Sequence, residues 1–194
     1  TGTAEAPESV QPASCLGNQV MAFLTYRSGW RLGAIGCSLP FTVLREPVRS
    51  SKPVSSPMLD ARGYRLAYVV AHTADDLEIH RINVDGTNQL RLTDSSGIDT
   101  MPVWHPSQEE MLFVSDRSGN AEVFKMNTDG SLQLRLTFSP LADIYPVYTP
   151  GGDKIAWVRS AGAWREIWMM NADGSNPHKL AGPFPWIQRL IFTT

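Results

Sequence analysis

Short apolar runs, each stopped by Gly, Pro or Asp-Gly, fill most of this chain, and no stretch shows the spacing of an amphipathic helix. One unit sets the pattern. Pro102-Val-Trp104 predicts a brief first strand, stopped by Pro106. Met111-Leu-Phe-Val114 is continuously apolar, as a strand buried on both faces requires. Arg117-Ser-Gly119 then predicts a turn into a third strand, Glu122-Val-Phe-Lys-Met126. Asp129-Gly130 supplies the positive-φ residue of a second tight turn. Leu132-Gln-Leu-Arg-Leu-Thr137 alternates with period two, predicting an outer strand with one wet face.

The unit recurs. Asn83-Val-Asp-Gly86-Thr87, Asn127-Thr-Asp-Gly130-Ser131 and Asn171-Ala-Asp-Gly174-Ser175 repeat at 44-residue spacing. Arg91-Leu-Thr93 and Arg135-Leu-Thr137 follow at equal distance, with Lys179-Leu-Ala181 a weaker third copy. A Pro-Val-x-x-Pro series starts at Pro53, Pro102 and Pro146. Its first interval is 49 residues, which predicts about five extra residues near Asp60-Ala-Arg-Gly63 and Ala74-Asp-Asp76. Four short strands in about 44 residues predict an all-β fold, a β-propeller of four-stranded antiparallel blades.

The ordered set of Pro-x-Trp-x-Pro, an apolar run, Arg-Ser-Gly, Asn-x-Asp-Gly and Arg-Leu-Thr resembles the TolB-type (WD-repeat-like) β-propeller family. The resemblance covers residues 53–182 clearly and 18–50 weakly. The family usually has Ser-Pro-Asp-Gly after the first strand. Here His105-Pro-Ser-Gln108, Thr149-Pro-Gly-Gly152 and Ser56-Pro-Met-Leu59 stand instead, which alters one hairpin and leaves the fold.

Residues 1–17 read as a flexible extension, small and Pro-punctuated, of a processed form or an excised segment. They lack the basic and apolar regions of a signal peptide. The propeller is expected over 18–194: a degenerate blade at 18–50, full repeats at 53–101, 102–145 and 146–184, and a partial blade at 185–194. In that last piece Pro185-Trp-Ile187 and Leu190-Ile-Phe-Thr193 resemble new strands. About four blades result, and three arrangements remain open. The ring closes at four, it belongs to a larger ring, or two incomplete rings pair, because an unsealed edge invites association.

Composition narrows the function classes. With 17 Lys+Arg against 19 Asp+Glu there is no basic excess for nucleic acid, and no apolar run approaches the length of a membrane-spanning helix. Cys15 and Cys37, the two cysteines, fit no zinc or redox spacing and are either buried thiols or a disulfide. No nucleophile elbow, His-Glu-x-x-His or P-loop is present, so the chain reads as non-enzymatic, with no cofactor and no metal site. His72, His80, His105 and His178 occupy unrelated repeat positions and read as scattered surface or satisfied residues. Asp75, Asp76 and Glu78 read as a solvated acidic loop more readily than as a calcium site.

By resemblance to propellers, the residues ahead of each first strand face the mouth of the central channel. Asp99 and Asp143 stand three residues before their repeat prolines, with Ser50 in the earlier unit, and Thr100, His105 and Tyr145 are their neighbours. These carboxylates either bind a basic peptide group or a cation, or satisfy local turn amides. Trp164, Trp168 and Met170 share one strand face with Glu166, as blade core or as a partner-binding edge patch. The leading expectation is a protein–protein interaction or scaffold module that binds a protein or peptide through blade loops and channel mouth. The resemblance implies export to the periplasm or cell surface. The alternatives are a propeller portion of a larger enzyme, such as an oligopeptidase gate domain, and a structural accessory subunit docked through an open edge.

Overall fold

The computed structural model describes residues 20–26, 29–36, 42–187, 190 and 191, with side chains at 29–31, 48 and from Ser50 onward. The extension at 1–17 and both cysteines lie outside them, so the disulfide expectation does too.

Among the described residues every regular element is a β-strand, and each sheet is antiparallel with strands in chain order. The first sheet joins β1 (Val20–Tyr26), β2 (Trp30–Gly36) and β3 (Thr42–Ser50). The second joins β4 (Val54–Leu59), β5 (Arg65–Thr73), β6 (Asp76–Asn83) and β7 (Leu90–Arg91). The third joins β8 (Asp99–Trp104), β9 (Glu110–Ser115), β10 (Glu122–Asn127) and β11 (Leu134–Arg135). The fourth joins β12 (Ala142–Tyr148), β13 (Lys154–Ala161), β14 (Trp164–Asn171) and β15 (His178–Phe184). Three four-stranded blades and one three-stranded sheet follow one another in an arc. Among the described residues the first and fourth sheets share no extensive contact, so the ring is not closed.

The core lies between sheets. Leu66, Tyr68, Val70 and Ile82 meet Val48 of the first sheet. Ala67, Val69 and Ile79, on the other face, meet Met111, Phe113, Phe124 and Met126. Leu112 and Val123 meet Ile155, Trp157 and Met170 in turn. Both faces of β5 and β9 are thus covered, and on β13 Ala156 and Val158, on the face away from the third sheet, are buried as well, which is why all three read as continuous apolar runs.

The Asn-x-Asp-Gly-Thr/Ser motif closes the third hairpin locally. Asp85, Asp129 and Asp173 Oδ1 accept the N–H of Thr87, Ser131 and Ser175 at 2.8–2.9 Å. Asn83, Asn127 and Asn171 donate Nδ2–H to the same three hydroxyls.

Two elements differ from the expected pattern. The outer strand over 132–137 shrinks to two paired residues, because the Leu136 and Thr137 N–H groups both turn to the Val123 carbonyl and the Thr137 hydroxyl takes the Val123 N–H; ahead of the strand Leu132 sits at φ 54°, in the left-handed region. Asn88 and Asn176 hold that left-handed position in the other repeats, and Leu132 is 78% exposed. Leu132→Asn is therefore expected to stabilise the protein by about 0.5–1 kcal/mol, since asparagine tolerates this conformation better. A thermal melt checks it, and an unchanged or lower Tm removes the explanation. Secondly, the strands anticipated in 185–194 do not form at the described positions 185–187, 190 and 191.

The repeat register also shifts. Each first strand carries a bulge, at Ser56-Pro57, Met101-Pro102 and Tyr145-Pro146. Pro57, Pro102 and Pro146 are the matching prolines, 45 and 44 residues apart. Pro53 lies ahead of its strand, so the five extra residues inferred from it shrink to one, and Val54 rather than Ser50 matches Asp99 and Asp143.

Candidate functional site

Proline donates no backbone hydrogen bond, so a bulge on an innermost strand is a place where it fits. In all three blades the residue just before it adopts positive φ: Ser56 at 51°, Met101 at 53° and Tyr145 at 54°. All three bulges converge on one cavity of about 980 Å³. Its wall includes Met58, Val103, Trp104, Val147 and Tyr148, with Leu190 and Ile191 from the C-terminal segment. Among the described lining residues none carries a charge.

The residues expected at the channel mouth divide around this cavity. Tyr145 lines it. Thr100 is half-buried in the β8–β9 ladder. Asp99 and Asp143 are withdrawn into the blades and fully buried. Asp143 forms a two-pronged pair with Arg159 at 2.8 and 2.7 Å. Asp99 Oδ2 takes Arg117 at 2.7 Å and the Ser95 hydroxyl at 3.1 Å, while its Oδ1 has no partner. The Asp143 carboxylate holds the Arg159 guanidinium above its ordinary range. Both carboxylates are therefore occupied inside the protein, by arginines more than by turn amides.

His105 is also internal. Its Nδ1 accepts the N–H groups of Ser107 and Gln108, which leaves the proton on Nε2 to donate to the Gly152 carbonyl at 3.1 Å. Asp60 and Thr149 hold the equivalent position and accept turn N–H groups too. Three different side chains thus do one turn-capping task, and the family-pattern departure properly involves Asp60-Ala-Arg-Gly63 rather than Ser56-Pro-Met-Leu59.

Of the tryptophan stripe, Met170 is buried in the core. Trp168 is half-buried, stacks on Trp157 and carries Arg159 at 4.1 Å from its ring centre. Trp164 is 52% exposed. The sequence reasoning missed a further series, Glu78, Glu122 and Glu166, although its 44-residue spacing was readable. Glu78 and Glu122 are fully buried, pair with Arg91 and Arg135, and accept the N–H of Ser95 and Ser139. Each thereby ties a blade to the segment leading to the next. Glu78 thus belongs to a buried tie and not to an acidic loop. Glu166 instead pairs with Lys179 and Trp168 and is partly exposed.

His72 and His80 are not scattered. They stack at 6.0 Å on the second sheet, beside Tyr68 and Lys52. Burial first, and then the positive charges of His72, Arg91 and Lys52, lower His80 to about 4. An unfolded chain binds this proton near pH 6.5, so stability falls as pH drops from about 6.5 towards 4. Thermal melts at pH 7 and 5 should show a smaller acid-induced drop in His80→Gln than in wild type; equal drops remove His80 as the cause.

Among the described residues, no group of three His, Cys, Asp or Glu could hold a metal ion, and no helix is long and apolar enough to cross a membrane.

An all-β arc of four-stranded blades about an axial cavity defines a β-propeller. The family model for the TolB beta propeller domain matches residues 41–184, and the chain belongs to that family. A protein assigned as TolB from Agrobacterium tumefaciens is similar at 19% identity and TM-score 0.69, over 82% of this chain and 60% of that one. TolB from Acinetobacter baumannii gives 18% identity and TM-score 0.51, over 84% and 53%. A prolyl endopeptidase structure gives 13% and 0.68, over 90% of this chain and 30% of that one. The chain thus spans between half and two thirds of the length of the two TolB structures. No curated protein matches it.

Proposed function

We propose that this propeller is a non-enzymatic binding module that receives a protein or peptide partner at its axial cavity and the adjoining blade loops. One observation carries the reading: the three strained residues Ser56, Met101 and Tyr145, each before a bulge proline, all line the same cavity. A positive φ at a residue other than Gly costs about 1–2 kcal/mol. Repeating that cost in three blades around one space favours a role for the space. Membership of the TolB propeller family supports a protein partner and a place in the cell envelope.

A photocrosslinking amino acid at Tyr145 should trap a protein from an envelope extract, whereas one at Leu132 on the outer hairpin should not. Equal trapping at both sites, or none at Tyr145, overturns the reading. The prolyl endopeptidase likeness supports a second reading, the propeller portion of a larger enzyme. That reading requires the native protein to carry a hydrolase domain, which its intact mass and peptide map decide.

A further inference from the structure

The chemistry of the axial wall selects among partners. Charged side chains are absent from the described lining, and the two carboxylates nearest the bulges, Asp99 and Asp143, are engaged by Arg117 and Arg159. A charged occupant would lose hydration there without meeting an opposite charge, which disfavours it strongly. Methionine, proline, valine and aromatic rings offer the reverse, a surface that gains by covering aliphatic side chains. The chain already shows such a contact. Leu190 and Ile191 lie outside every strand and line the same cavity, Ile191 with two thirds of its surface still open. The remaining 980 Å³ leaves room for more than this pair.

We infer that the axial cavity is a site for a short aliphatic peptide segment, and that the chain's own Leu190-Ile191 is a weak occupant in cis which such a segment displaces. The inference rests on reading the cavity as a binding surface and names the partner's chemistry. A peptide in trans competes with a tethered one, so weakening the tethered contact strengthens binding of the other.

The probe is a fluorescein-labelled synthetic peptide, Trp186-Ile-Gln-Arg-Leu-Ile-Phe-Thr-Thr194, titrated by anisotropy into the full chain. With Leu190→Asp and Ile191→Asp in the protein, binding is expected to tighten roughly tenfold over wild type. Adding Met101→Asp should then weaken it by about the same factor, because a carboxylate enters the wall. Aspartate suits the positive φ of position 101, so the fold should tolerate it. Met101→Asn, which removes the same apolar contact without adding charge, should weaken binding less than Met101→Asp. Tyr145→Asp serves in the same role if Met101→Asp melts early.

Peptide binding no tighter in the Leu190→Asp, Ile191→Asp variant, or unaffected by charge at both 101 and 145, overturns the inference. If crosslinking at Tyr145 succeeds while this peptide binds no variant, the aliphatic site falls and the binding-module reading stands. If both fail, both fall.

Discussion

Replacing Asp143 by alanine is expected to destabilise the protein by about 3 kcal/mol, and to lower Tm by roughly 6–12 °C. The carboxylate is fully buried and meets both Arg159 Nε and Nη2 at hydrogen-bonding distance. Removing it leaves a guanidinium that is 16% exposed without its counter-charge. The range for breaking such a pair is about 3–5 kcal/mol. Its lower end applies because Arg159 keeps the Trp168 face at 4.1 Å, a contact of about 1 kcal/mol, and can reach towards water. Asp99→Ala should be milder, since Asp99 takes only one arginine N–H and already leaves one oxygen unpartnered. Asp143→Leu with Arg159→Met should recover most of the loss, because two apolar side chains need no pairing. Urea unfolding of the four proteins gives the comparison. A loss below about 0.5 kcal/mol in Asp143→Ala would mean the pair behaves as a solvent-screened surface contact. A combined Asp99→Ala and Asp143→Ala protein therefore reports on folding before it reports on partner capture.

How much of this was readable beforehand depended on the range of each interaction. The Asn-x-Asp-Gly hairpins were legible because every hydrogen bond that closes them lies within five residues. The apolar runs of β5, β9 and β13 were legible because side chains on both faces of each are buried. The bulge register was not, because Pro53 and Pro57 offered two alignments, and only strand pairing shows which proline interrupts the ladder. The arginines that take up Asp99 and Asp143 were hidden for a different reason. Arg117 lies two residues beyond β9, whereas Arg159 lies inside β13 directly opposite its carboxylate. Two blades thus neutralise matching aspartates from positions that do not match, and no repeat alignment brings them together. The axial cavity joins bulges from three blades, so it too exists only after the blades are arranged.

The Asp-Gly glycines, alike in sequence, should respond very differently to alanine. Gly86, Gly130 and Gly174 have φ of 90°, 88° and 89°, so a β-carbon imposes the same backbone strain at each, about 1–2 kcal/mol. Their surroundings differ. At Gly86 the new carbon would meet nothing within 4 Å. At Gly174 it would lie 3.2 Å from the Leu136 side-chain end, which can move by a few tenths of an ångström. At Gly130 it would lie 2.7 Å from the Leu92 carbonyl oxygen and 3.1 Å from the Leu92 α-carbon, main chain of the preceding blade. That carbonyl also accepts the Gln133 amide, which donates in turn to the Gly130 carbonyl, so the hairpin and the neighbouring blade are tied where the clash falls. Overpacking against backbone adds about 1–3 kcal/mol to the strain. Gly130→Ala is thus expected to lose about 3–4 kcal/mol, Gly174→Ala less, and Gly86→Ala about 1. Denaturant midpoints of the three single variants test the order. Equal losses would show that turn conformation alone matters here, and that the third hairpin does not press on the second blade as closely as the Leu92 contact indicates.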